Sequence, residues 1–214
     1  MGTDKLVKLF TFCLALLVIR IVRTEQFSYV FLTWNLFLAF IPYLLIKKFK
    51  AKQNRFVQIS LVAGTILFLP NAPYILTDLF HLRERIAAPM WFDLILILSF
   101  AFLGMVFFVL SVNKLLSIFN TLFASRLITS ALKFLIMLSS SYGIYLGRYL
   151  RLNSWDVISS PIYLVRKMFF SVFDGNCNKE TFSVTITFTI FLYLVFEIVA
   201  SLKEATNTQQ NELS

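Results

Sequence analysis

Apolar runs of bilayer length recur along this 214-residue chain, and they constrain its fold more than any other feature. A bilayer core is spanned by roughly 20 apolar residues of helix. The candidate spans are Leu6–Val22, Phe27–Ile46, Phe56–Leu76, Leu94–Val112, Leu127–Gly147 and Phe182–Leu202. Composition closes the alternative of a water-soluble domain: 58% of residues are hydrophobic, 14% are charged and 25 are phenylalanine. That is more apolar surface than one core of this size can hide, so lipid is the expected solvent. The expected fold is an all-α polytopic bundle of about six transmembrane helices with one or two interfacial amphipathic helices. Residues 1–202 form the membrane domain and 203–214 a short polar tail expected to fray.

The net charge of +9 raises the question of nucleic acid, but the cations lie between apolar runs and no nucleic-acid-binding signature accompanies them. Their placement suits headgroups and helix orientation. Lys47, Lys48, Lys50, Lys52 and Arg55 gather between the second and third runs with no acid among them. This puts the loop in the cytoplasm, and with six spans both termini join it. Lys5 and Lys8 ahead of Leu9–Ile19 imitate a signal peptide, but the run continues into Arg20-Ile21-Val22-Arg23, which reads as a retained helix. The two cysteines are too few for a disulfide framework, and Cys13, inside an apolar run, reads as core packing.

Polar residues gather where the third run ends, at Leu69-Pro70-Asn71-Ala72-Pro73-Tyr74. Two prolines three apart should interrupt the helix, leaving carbonyls that need partners. Asn71 is suited to cap the turn that follows. If that turn continues as an α-helix, Tyr74, Asp78, His81 and Arg85 share a face, with Ile75, Leu79, Leu82 and Ile86 as a neighbouring apolar stripe. Trp91 and Asp93 then open the fourth span, Asp93 suiting a helix N-terminus. By helix count, the end of the fifth span meets the same membrane face. It carries Gly143 and Gly147, spaced for close helix approach, then Arg148, Arg151, Asn153, Trp155 and Asp156. The segment Ser160–Phe173 carries Arg166 and Lys167 at its centre and reads as a helix lying in the interface.

The run LPNAPYILTDLFHL, the following WFD and the later GIYLGRYLRLNSWD resemble a bacterial membrane-protein family, domain of unknown function 1361. The resemblance covers most of the chain. It implies a polytopic protein of the bacterial inner (cytoplasmic) membrane with no assigned activity.

The candidate cluster is therefore Asn71, Tyr74, Asp78, His81, Asp93, Arg148, Arg151, Asn153, Trp155 and Asp156. Arg148 and Arg151 fit a phosphate, since guanidinium forks match its oxygens. They equally fit ion pairs with Asp78, Asp93 or Asp156. His81, the single histidine, has either an interfacial hydrogen-bonding role or that of a general base beside Asp78. Lys133 and Glu197 lie about 8–10 Å deep at 1.5 Å per residue and read first as a bridge between the fifth and sixth spans. Ser139–Ser141 lacks the strand-to-helix setting of a hydrolase nucleophile and reads as packing. No metal or cofactor motif is present, so no cofactor is expected. The first functional reading is a binding or accessory protein for an anionic lipid headgroup or lipid-linked substrate. An enzyme acting on such a lipid is the second, and a small permease the third.

Overall fold

The computed structural model describes residues 3–83, 88–174 and 178–212. Arg85 and Ile86, named above, and Cys177, the second cysteine, lie outside them. The helices are α1 (Thr3–Thr24), α2 (Phe31–Lys47), α3 (Arg55–Phe68), α4 (Asn71–Tyr74), α5 (Met90–Phe123), α6 (Arg126–Arg148), α7 (Asp156–Ser159), α8 (Pro161–Phe173) and α9 (Asn178–Glu212), with a 3-10 segment at Ile75–His81. No β-strand occurs among the described residues. Among the described residues four stretches are long and apolar enough to cross a membrane: Arg55–His81, Met90–Phe123, Arg126–Arg148 and Lys179–Leu202. The apolar α2 is shorter, and α1 carries Lys5, Lys8, Arg20 and Arg23. The chain is an all-α, multi-pass membrane protein.

Two compact units divide within α5, at Met1–Leu115 and Leu116–Ser214. In the first, α2 packs on α3, α4 and the 3-10 segment. Leu32, Leu36, Ala39 and Ile46 of α2, and Leu69, Ala72 and Ile75 beyond α3, are buried. So are Leu96, Phe100, Leu103, Phe108 and Val112 of α5. Gly104 is placed so that an added Cβ would lie 2.5 Å from the Ala72 carbonyl oxygen. Only a glycine lets α5 come this near α4.

In the second unit α9 packs on α6 and α8. Its inner stripe carries Thr181, Thr185, Thr189, Leu192 and Phe196, while Phe182, Ile186, Ile190, Leu194 and Ile198 are exposed. Hydroxyls turned inward and aliphatic side chains turned outward make sense in lipid, where bare hydrocarbon is the compatible outer surface. Most of the inner hydroxyls answer to nearby carbonyls: Thr189 donates to Thr185 O at 2.7 Å and Thr181 to Ser171 O at 2.8 Å. Ser171 Oγ lies 2.9 Å from the Tyr142 hydroxyl, so α6, α8 and α9 share one polar joint.

Element ends follow local chemistry. The Asn54 side chain accepts from Phe56 N–H at 2.8 Å and starts α3, and Pro161 stands in the first turn of α8. Gln58 donates to the Lys50 and Ala51 carbonyls and orders the cationic loop. Helix α9 runs on through residues 203–212, which contain neither glycine nor proline to stop it.

Candidate functional site

The proline pair interrupts α-helical bonding without ending the helical path. Pro70 and Pro73 supply no N–H, and Ala72 N–H turns to Leu69 O at 3.1 Å, a tighter bond than the α pattern. The Phe68 carbonyl, which Ala72 would otherwise engage, accepts from Asn71 Nδ2 at 3.0 Å. Asn71 thus repairs the end of α3. The expected cap is corrected, since α4 starts on Pro70 with no side-chain cap.

Past Tyr74, which is half-buried, the chain tightens to 3-10 geometry. A period of three replaces the expected α face of Tyr74, Asp78 and His81 with an eclipsed row, Ile75, Asp78 and His81. The expected apolar stripe is likewise corrected: Ile75, Thr77 and Asp78 are buried while Leu79 and Leu82 are half-buried. The Asp78 carboxylate is 1% exposed. Its Oδ2 accepts from Asn35 Nδ2 of α2 at 2.7 Å, and its Oδ1 lies 3.9 Å from His81 Nδ1. The His81 ring lies 5.1 Å from that of Phe31, and the Tyr29 hydroxyl donates to the His81 carbonyl at 3.5 Å.

Asp93 stands in the first turn of α5, as its helix-dipole role required, but it is fully buried and gripped from α1. Arg20 Nε donates to Oδ1 at 2.6 Å and Nη2 to Oδ2 at 3.4 Å. Arg20 also donates to the Thr24 hydroxyl, and its guanidinium lies 5.5 Å from the centre of the Tyr29 ring. Tyr29 therefore touches both acidic groups' surroundings.

In the second unit α6 ends at Arg148, behind a column of stacked Tyr142, Tyr145 and Tyr149. Arg148 is half-buried and Arg151 exposed. Beyond Arg148 the helix gives way to a turn. Arg151 takes a φ of 55°, and Leu152 N–H donates back to Leu146 O at 3.1 Å. The bond closes a turn six residues wide just past the helix, with Arg151 in the left-handed region that glycine favours. Asp156 is used locally: its Oδ2 accepts from Asn153 N–H at 2.7 Å and its Oδ1 from Ser159 Oγ at 3.3 Å. Trp155, 40% exposed, accepts through its carbonyl from Ile158 and Ser159 and starts α7. In α8, Ile162, Val165, Phe169 and Phe173 are exposed, and Arg166 and Lys167 lie over Phe170 and Tyr163. Deeper in this unit Lys133 Nζ donates to Glu197 Oε1 at 2.5 Å and sits 4.8 Å from the centre of the Tyr193 ring.

Sequence reasoning missed Arg20 and Asn35. Arg20 had a signal: Cys13, Leu17 and Arg20 follow helical spacing on one buried face, which marks the arginine as inward. Asn35 is the lone amide of the mostly apolar α2. Among the described residues no three His, Cys, Asp or Glu side chains gather as a metal site would require.

No curated protein and no solved structure matches the chain. The sequence profile of the protein family of unknown function DUF1361 matches residues 34–195, from α2 deep into α9, and the chain belongs to that family.

Proposed function

We propose that this membrane protein holds an anionic lipid headgroup, or the anionic part of a lipid-linked substrate, on the cationic turn that follows α6. The observation that carries this reading is the exposed guanidinium of Arg151, set on a turn held in the left-handed region. A left-handed φ costs a side-chain-bearing residue about 1 kcal/mol or more relative to glycine. Arginine occupies the position nonetheless, with its side chain exposed, and among the described residues nothing binds its guanidinium. Glu25 and Ala124, just past α1 and α5, share this conformation, so Arg151 is set apart by the exposed cation it carries there.

The surroundings fit an anion at a membrane surface. The Asp156 carboxylate is engaged by Asn153 N–H and Ser159 Oγ. Tyr149 and Trp155 are exposed on the same short segment, as aromatic residues at headgroup depth commonly are. Amphipathic α8 adds Arg166 and Lys167 above an outward apolar face suited to lying in the interface.

The test is native mass spectrometry of gently purified protein, wild type beside Arg151→Ala and Arg148→Ala. Wild type is expected to retain an anionic lipid that Arg151→Ala loses. Equal retention in wild type and Arg151→Ala would refute the site.

A further inference from the structure

A separate constellation in the first unit has the parts of a proton acceptor. Asp78 is buried, and Asn35 of α2 fixes its Oδ2 at 2.7 Å, so the carboxylate cannot swing freely. Its other oxygen faces His81 Nδ1 at 3.9 Å. The His81 side chain is 45% exposed, in contrast to the acid beneath it. The backbone below the imidazole is pinned by Tyr29, and Phe31 lies beside the ring.

We propose that Asn35, Asp78 and His81 form a general-base site for an O–H group at the membrane surface, with Asp78 as positioning residue. A carboxylate beside Nδ1 favours the tautomer with the proton on Nδ1, leaving the lone pair on Nε2 at the opposite edge of the ring. Closing 3.9 Å to hydrogen-bond length needs a modest turn of the imidazole, as unliganded sites often require. In the step itself, the O–H bond of the donor breaks as the Nε2–H bond forms. The positive imidazolium is then stabilised by Asp78, and the oxygen is left as the nucleophile. Return of the proton from Nε2 to that oxygen restores the neutral ring. The 3-10 geometry serves this arrangement, because it eclipses residues three apart and so stacks His81 on Asp78. Asn35 supplies what the 3-10 segment cannot, a fixed donor from a second element.

The donor is water or the hydroxyl of a lipid headgroup, which share this chemistry. His81 is the single histidine of the chain, so its nitrogens can be read without assignment. The experiment is nitrogen-15 NMR of histidine-labelled full-length protein in nanodiscs at alkaline pH, where imidazole is neutral. The expected spectrum shows Nδ1 protonated and Nε2 bare in wild type, with the tautomer ratio reversed in Asp78→Asn. A wild type protonated on Nε2 overturns the proposal, and this reading does not depend on how the variant folds. An unchanged ratio in a well-folded Asp78→Asn overturns it as well. Discs of phosphatidylglycerol and of phosphatidylcholine separate the donors. An Nε2 resonance displaced only by the glycerol headgroup supports the lipid hydroxyl, and one alike in both supports water. Lipid retention at Arg151 is measured independently, so either proposal can fail alone.

Discussion

Arg20 and Asp93, 73 residues apart, form a two-point ion pair in which both side chains are shut away from solvent, 1% and 0% exposed. Removing one partner strands the other charge in a medium that solvates it poorly. That loss is expected to cost about 3–5 kcal/mol. Arg20→Met and Asp93→Leu should each lower the melting temperature in mild detergent sharply. The double variant should recover part of the loss, because no orphan charge remains. Single variants that melt like wild type would show the pair to be energetically idle.

Gly104 makes a second, purely steric prediction. Its missing Cβ is what lets α5 rest against the Ala72 carbonyl at the proline interruption. Gly104→Ala gains helix propensity but must push α5 away, and the overpacking is expected to cost about 1–3 kcal/mol. Thermal melting of Gly104→Ala beside Gly64→Ala separates the effects. Gly64 would meet only a leucine methyl at 3.1 Å, a neighbour able to yield, so its variant should be the milder.

The apolar runs carried the helices into view because length and hydropathy suffice for them, as in α3, α6 and α9. Lys133 and Glu197 were legible as partners because charges at matching depth in lipid seek one another. The Arg20–Asp93 pair was hidden, since Arg20 near the end of an apolar run is also explained by helix orientation. The 3-10 turn was hidden too: spacing places Asp78 near His81 in either helix type, and only the bonding freed by Pro70 and Pro73 decides between them. Nor does sequence announce a left-handed Arg151, because glycine is the residue that marks such positions.

Lys133 and Glu197 join α6 to α9 with side chains 18% and 45% exposed. Partial exposure keeps the pair's value to about 1 kcal/mol if water reaches it. Reversing either charge alone places like charges together in the seam, whereas Lys133→Glu combined with Glu197→Lys restores attraction. The double reversal is expected to express and melt closer to wild type than either single. Equal loss in all three would mean that the orientation of the pair, or another role for one member, matters more than the bridge.

Arg151 offers the sharpest separation of stability from function. Glycine in its place removes the steric cost of φ 55° and should raise stability by about 1 kcal/mol, less whatever chain entropy glycine restores to the unfolded state. The same change deletes the exposed guanidinium that the headgroup site requires. Arg151→Gly is therefore expected to melt at or above the wild-type temperature while losing the retained anionic lipid. Arg151→Lys should keep the strain and part of the binding, since an ammonium attracts phosphate without the two-point geometry. A fall in stability for Arg151→Gly would identify the side chain as a fastener of the turn, and its exposed guanidinium would no longer argue for a ligand.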